Sequence, residues 1–266
     1  MHSTNCLNCG KQLTDKFCSG CGQKSDTHRI SFKHFIAHDV LHGTFHIEKG
    51  ILFTAKEALV RPGKAALDYI AGKRIKYYNV FYLILITIGL MLFIRHFYSE
   101  ILIERGITHL EDTSHLNEAS KKMNEIVSQK NKIIIFLFVP LAAINSFMLF
   151  RRKRLNLSEH AIIAGMILLG ILLISTFGNI FFYFNLIVDF SDSFSAWAST
   201  FIIALTFLYI GYGYWNAFAR EYSKLGMLYR IILFFTILFV ETFILLLLMI
   251  GFVTNWQFGV IEFNPF

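Results

Sequence analysis

Apolar residues along the chain gather into five long runs that are separated by polar segments. A helix that crosses the hydrocarbon core of a bilayer needs about 20 consecutive, mainly apolar residues. The runs that meet this condition are 77–98, 133–150, 161–184, 196–218 and 231–251. One such run can be a buried helix of a soluble protein, but five in one chain predict an all-α integral membrane protein with five transmembrane helices.

Composition supports this fold class and divides the chain into four parts. Hydrophobic residues make up 55% of the chain and charged residues 16%, whereas soluble domains carry about 25% charged residues. A disordered chain and a disulfide-stapled mini-protein are excluded, and a soluble α/β enzyme is disfavoured. The predicted parts are a zinc ribbon at 1–28, amphipathic juxtamembrane helices at 29–76, the five-span bundle at 77–251 and an extracytoplasmic tail at 252–266.

The distribution of positive charge predicts how the chain is oriented. Residues 1–76, 151–160 and 219–230 together hold 19 of the 25 basic residues. Cytoplasmic loops carry the excess of Lys and Arg, so we expect the N-terminus in the cytoplasm and the C-terminus outside. The first 30 residues contain no apolar signal-peptide core. We therefore expect the first span to act as an uncleaved insertion signal.

All four cysteines lie near the N-terminus, as Cys6-x2-Cys9 and Cys18-x2-Cys21, and each pair is followed by glycine. Such pairs point two thiolates at one ion, and two pairs complete a tetrahedral zinc site. Phe17 is expected to brace the intervening hairpin. Two disulfides are the alternative, which a reducing cytoplasm disfavours.

A four-thiolate zinc site leaves no open coordination position, so we expect one structural zinc rather than a catalytic one. Its role would be stability or the docking of a protein partner on the cytoplasmic side. Between the first and last cysteine only Lys11 and Lys16 are basic. This sparse positive charge makes nucleic acid an unlikely partner.

Residues 29–76 combine apolar residues at helical spacing with scattered cations. Pro62 marks the start of a helix that would end near Gly72. The pattern predicts helices that lie among anionic headgroups, or helices packed on the cytoplasmic ends of the spans. Both arrangements remain open. The cations predicted at the membrane surface are Arg61, Lys64, Lys73, Arg74 and Lys76.

A possible functional cluster combines His42 and His46 with Glu159 and His160, which precede the third span on the same predicted side. Imidazole and carboxylate groups could hold a metal or act on a lipid. His34 and His38 extend the four-residue spacing of the first pair, although Gly43 interrupts it. Packing or interfacial histidines are the simpler interpretation.

Glu241 is the acidic residue in the middle of the fifth predicted span. A carboxylate at the bilayer centre is costly and must be protonated, paired or exposed to a polar cavity. Thr206 and Tyr209 are expected at similar depth, with Asn145 deeper toward the cytoplasm. Glu241 could serve as an intramembrane proton or ion relay, or as a protonated group that joins two helices by a hydrogen bond.

Several short motifs occur together in the first part of the chain. They are the cysteine ribbon, His42-Gly43, Phe45-His46, Lys49-Gly50, the RPGK of 61–64, the DYI of 68–70 and the GKR of 72–74. This combination resembles an uncharacterised family of bacterial membrane proteins, common in Bacteroidetes, of unknown function. Glu159-His160 matches a further feature of the family, whereas Val80 stands where a proline is common. The resemblance implies an integral membrane protein and brings no established activity.

These observations favour a non-enzymatic scaffold or adaptor of the inner membrane, with a bilayer containing anionic lipids and a cytoplasmic protein as partners. Phosphate-loop, dinucleotide-binding and G-x-S-x-G nucleophile motifs are absent from the sequence. One alternative is a small transporter or channel that uses Glu241 as its relay. A third hypothesis is a membrane-embedded enzyme that acts on a lipid through the histidine and glutamate cluster.

Overall fold

A computed structural model describes residues 4–25, 50–105, 118–188, 190–254 and 256. Over this part of the chain the secondary structure is helical, and the only strand-like pairs are two isolated bridges between residues 5 and 12 and residues 17 and 24. The predicted all-helical fold is therefore confirmed for the described residues. The candidate positions His42 and His46 lie outside them.

The described chain forms eight α-helices and one short 3₁₀ turn. The α-helices are α1 (Gly50–Val60), α2 (Pro62–Ile70), α3 (Val80–Glu104), α4 (Glu118–Leu149), α5 (Leu157–Tyr183), α6 (Asn185–Val188), α7 (Asp192–Phe218) and α8 (Lys224–Thr254). The 3₁₀ turn (Arg151–Lys153) connects α4 to α5.

Four helices are long and apolar enough to cross a membrane, namely α3, α5, α7 and α8. The predicted span at 133–150 is the second half of the 32-residue helix α4. Its apolar part, Ile135–Leu149, is shorter than the other four candidates. The apolar helices thus indicate a membrane protein, with four candidate spans rather than the five expected.

Helices α3 and α5 begin next to polar capping residues, and not at the first residues of the predicted apolar runs. Asn79 accepts hydrogen bonds from the backbone N–H groups of Phe81 and Tyr82, so α3 begins at Val80. Asn156 caps α5, which begins at Leu157, four residues before the predicted start at 161. An apolar-run criterion misses such turns because the capping residues are polar.

Helix α5 is the centre of the bundle. It packs against α1, α2, α3, α4 and α7, and residues such as Ile163, Met166 and Leu169 are fully buried. Helix α8 contacts α4 and α7 but leaves most of its apolar side chains exposed. Since exposed apolar surface on this scale is unfavourable in water, α8 is suited to face lipid chains.

Candidate functional sites

The two cysteine knuckles have the same local geometry. In the first, Gly10 N–H donates to the Cys6 carbonyl, and in the second, Gly22 N–H donates to the Cys18 carbonyl, each at 2.8 Å. Gly10 and Gly22 have φ angles of 76° and 75°, in the left-handed region that L-residues with side chains rarely adopt. The predicted glycine after each cysteine pair is therefore required by the turn.

The four cysteine Sγ atoms lie within 4.8 Å of one another. Cys6 Sγ is 3.6 Å from Cys21 Sγ, and Cys9 Sγ is 3.5 Å from Cys18 Sγ. A disulfide requires about 2.05 Å, whereas four thiolates at about 2.3 Å from a zinc ion lie about 3.8 Å apart. The donor set therefore fits a metal site better than it fits disulfides.

Backbone N–H groups lower the pKa of two of the four thiols, Cys18 and Cys21. The Gly20 N–H points at Cys18 Sγ from 3.4 Å and is the largest cause that lowers the pKa of the Cys18 thiol to about 6. Thiolates bind metal ions more strongly than thiols do. The residues that would hold zinc are thus the four predicted ones, Cys6, Cys9, Cys18 and Cys21.

The ribbon is attached to the membrane bundle through Gln23, a residue that the sequence analysis missed. Its side-chain amide donates to the Gly72 carbonyl at 2.7 Å. Its Oε1 atom accepts from the N–H groups of Arg74 and Ile75 at 3.2 and 3.4 Å. Gln23 is buried in this contact. The only feature of the sequence that pointed to a role for Gln23 was its position directly after the second knuckle.

Two apolar ribbon residues differ in their surroundings. Leu7 packs against Gly72 beside the Gln23 contact. Phe17, expected to brace the ribbon, is instead 59% exposed. The ribbon is therefore held by its backbone turns and its contact with residues 72–75, and Phe17 is available on its surface.

Helices α1 and α2 form a hairpin that packs into the bundle. The Tyr209 hydroxyl donates to the Ala58 carbonyl, and the Tyr212 hydroxyl donates to the Val60 carbonyl at 2.8 Å. Tyr209 lies nine residues before the end of α7, or about 13 Å along the helix axis. This arrangement corresponds to the predicted alternative in which the juxtamembrane helices pack on the ends of the spans.

Close approach of α2 to α7 depends on Gly63. A Cβ atom at this position would collide with the backbone of Gly213 and Ala217. At the next residue of α2, the Lys64 N–H donates to Asn216 Oδ1 at 2.8 Å, which satisfies a donor at the start of the helix. The hairpin is thus fixed to α7 by both packing and hydrogen bonding.

The five predicted surface cations have different surroundings. Arg61 pairs with Glu57 and lies 3.5 Å from Asp68, while Lys73 pairs with Asp68 at 2.9 Å. The Glu57 hydrogen bond raises the pKa of Arg61 above its ordinary value. Arg74 stacks on the ring of Tyr69. Lys64 and Lys76 are exposed.

Glu159 and His160 have separate local partners. Glu159 completes a capping box, because its carboxylate accepts from the Asn156 N–H at 2.8 Å and its own N–H donates to Asn156 Oδ1. His160 Nδ1 lies 2.8 Å from Ser146 Oγ, and its ring stacks on Phe218. His160 is fully buried. Neither side chain is presented on a surface that a lipid substrate could reach.

Glu241 contacts Asn145, a residue that the sequence analysis expected at a different depth in the membrane. Asn145 on α4 donates from Nδ2 to Glu241 Oε2 at 2.7 Å. Thr206 donates to its own helix, and Tyr209 donates to α1. Glu241 is half-buried, Asn145 is fully buried, and within the described residues Glu241 has no ion pair.

A cavity of about 830 Å³ lies between α3, α4, α5 and α7, and its α3 and α5 residues belong to the halves of those helices that are distant from the ribbon. Apolar side chains such as Leu168, Ile171 and Phe182 form most of its wall, and Arg95 lies at its exposed side. Of the described candidate residues, Glu159, His160 and Glu241 do not line it. The position and composition of this cavity suit the acyl chains of surrounding lipid.

The fold and these sites are those of a helical membrane protein whose cysteine cluster is held against residues 72–75, just before its first candidate span. The model of a protein family of unknown function, DUF3667, matches residues 48–92. This match supports the predicted resemblance to an uncharacterised family and covers the hairpin, residues 71–79 and the first half of α3. No curated protein and no solved structure matches the chain.

Proposed function

We propose that the protein is a five-span scaffold of the bacterial inner membrane that presents a zinc-loaded ribbon to a cytoplasmic protein partner. The observation that carries this proposal is the contact of Gln23 with residues 72–75. It holds the ribbon against the segment that leads into the first span. A partner bound to the ribbon would therefore be held at a fixed position relative to the bilayer.

Contacts of α4 support its assignment as an additional membrane-crossing helix, the second of five in chain order. Tyr214 on α7 donates to the Ala142 carbonyl, and Arg230 on α8 donates to the Leu149 carbonyl. Asn145, between them, reaches Glu241. Helix α4 also packs against the candidate spans α5 and α8, and its length of 32 residues exceeds the about 20 that a membrane-crossing helix needs.

The proposed orientation rests on charge. Arg61, Lys153 and Arg220 come from the three basic segments of the sequence and line one cleft. These segments therefore share one end of the bundle, which the positive-inside rule assigns to the cytoplasm. The ribbon adjoins this end through residues 72–75, where a reducing environment favours thiolates over disulfides.

Reporter fusions test the topology. With five spans, a phosphatase that is active only outside the cytoplasm gives activity at the C-terminus and none at the N-terminus. With four spans, both ends face the same side. Equal phosphatase activity, or equal inactivity, at the two ends would contradict the proposed topology.

The exposed ring of Phe17 offers a test of the docking role. Aromatic side chains are frequent anchors of protein interfaces, so Phe17→Ala should reduce recovery of a cytoplasmic partner after cross-linking in native membranes. Phe93→Ala is the matched control, because Phe93 on α3 is similarly exposed but distant in sequence from the ribbon. Undiminished recovery with Phe17→Ala, and with a chain that lacks residues 1–25, would exclude the ribbon as the docking surface.

The geometry gives less support to the two alternative functions. Glu241 is engaged by Asn145, and the large cavity is lined by other residues. His160 is enclosed by aromatic rings. These contacts favour helix-joining and packing roles for the two residues.

A further inference from the structure

A second cleft, of about 430 Å³, lies where the hairpin meets the ends of α4 and α7. The first two turns of α2 form one wall, the end of α7 forms another, and the turn between α4 and α5 completes the cleft. The residues that line it are Arg61, Lys64, Leu67, Asp68, Lys153, Trp215, Asn216, Ala217, Ala219 and Arg220. The cleft is separate from the cysteine cluster.

Four cations and one carboxylate line this cleft. The carboxylate, Asp68, is already engaged by Arg61 and Lys73. Lys153 pairs with Glu221 at 3.3 Å. In the described part of the chain, Lys64 and Arg220 have no ion pair, and both are exposed. The cleft therefore carries an excess of positive charge that its own acids do not neutralise.

Part of the positive surface is fixed before any ligand binds. Arg61 is held between Glu57 and Asp68, and Lys64 follows Gly63, which is packed against α7. The α2 backbone is further held by the Lys64 N–H bond to Asn216. Lys64 is thus carried by a fixed backbone in the first turn of α2, where the helix dipole adds to its positive charge and favours an anion.

We propose that this cleft binds a phosphate group, with Lys64 and Arg220 as its main ligands and Arg61 and Lys153 completing the positive surface. Phosphate suits the site because it concentrates charge in a small volume and accepts several hydrogen bonds from lysine and arginine. The apolar side chains of Leu67, Ala217 and Ala219 would contact the carbon chain that carries the phosphate.

The phosphate can be part of a phospholipid headgroup or of a soluble compound. The cleft lies at the end of α7, where a span leaves the hydrocarbon core and lipid phosphates are found. Its size is also sufficient for a small phosphate ester, since ligand pockets span about 300–1,000 Å³. The chemistry is shared, so the experiment needs one arm for each source.

The lipid arm uses the full-length, zinc-loaded protein in micelles doped with phosphatidylglycerol or phosphatidylcholine, and native mass spectrometry counts the retained lipids. Wild type should retain one phosphatidylglycerol in preference to phosphatidylcholine. The double variant Lys64→Gln/Arg220→Gln should weaken this retention roughly tenfold or more. The matched control, Lys56→Gln/Lys76→Gln, removes two exposed cations outside the cleft and should retain the lipid as wild type does.

The soluble arm measures binding of glycerol 3-phosphate to the same proteins by calorimetry. Tight binding that is lost only in the cleft variant assigns a soluble phosphate ester as the ligand, whereas binding of phosphatidylglycerol alone assigns the lipid. Equal losses in the cleft and control variants would show general surface attraction and overturn the proposal. Absence of binding in both arms, or equal competition by a glutamate-rich peptide, would also overturn it. Thermal unfolding confirms that both double variants remain folded.

Discussion

Asn145 and Glu241 are joined across helices α4 and α8 by a hydrogen bond of 2.7 Å, with the amide as donor and the carboxyl oxygen as acceptor. The two residues are 96 positions apart in the chain. Asn145 is fully buried. The pair therefore connects α4, whose apolar segment is shorter than the candidate spans, to α8, which is the least buried of the four candidate spans.

Because this pair joins two helices, we predict that the variant Glu241→Gln is about as stable as the wild-type protein. The Gln carbonyl can still accept from Asn145, so the unfolding temperature in detergent should change little. Glu241→Leu removes the acceptor and should cost about 0.6–2 kcal/mol, the usual range for hydrogen bonds between membrane helices. If Glu241→Gln abolished a proton-coupled flux in proteoliposomes while stability was retained, the relay function would be correct instead.

Close packing of the hairpin predicts a strong effect at Gly63. Gly63→Ala places a methyl group against the backbone of Gly213 and Ala217 and should lower stability by about 1–3 kcal/mol. Gly89→Ala is the control, because a Cβ there would meet none of the described atoms within 4 Å. Alanine is also the better helix former, so this variant should be as stable as wild type. Equal unfolding temperatures for the two variants would contradict the packing of α2 on α7.

The metal site predicts a content of one zinc per chain by elemental analysis of the purified protein. Cys9→Ser should reduce this content, because each of the four thiolates is a ligand in the closed site. His160→Phe should leave it unchanged, since the histidine is packed against Phe218 and Ser146. A second zinc that disappears with His160→Phe would restore the hypothesis of a metal-dependent site at this histidine.

Local features of the sequence predicted much of the fold. The cysteine spacing and the following glycines suffice for the knuckles, because each turn depends on residues that are close in the chain. The apolar runs identified the candidate spans because the bilayer sets a minimum helix length. The helix starts were less accurate, since Asn79 and Asn156 act through capping hydrogen bonds rather than through hydropathy.

Contacts between distant segments could not be predicted in the same way. The positions of residues along the predicted spans placed Glu241 at the same depth as Thr206 and Tyr209. Which side chains meet is decided instead by the tilt and rotation of each helix. The contact of Gln23 with Gly72 likewise depends on how the ribbon folds back on the hairpin. Gly63, Ala65 and Ala66 are small residues of the kind that allows close helix packing, so the sequence did contain an indication of this contact. We instead interpreted the segment from its amphipathic pattern.

Hydrogen exchange at residues 72–76 tests most directly the claim that the metal-loaded ribbon is fixed to the membrane bundle. The Ile75 N–H donates to Gln23, and the Arg74 N–H donates to both Gln23 and the Gly72 carbonyl. Both groups should be protected in the zinc-loaded protein, and the protection of Ile75 should depend most on Gln23. Removal of zinc by a chelator, or the substitution Gln23→Ala with zinc retained, should release that protection while α5 stays protected. If Arg74 and Ile75 exchanged at the same rate in all three states, the ribbon would be an independent module and the account would be wrong.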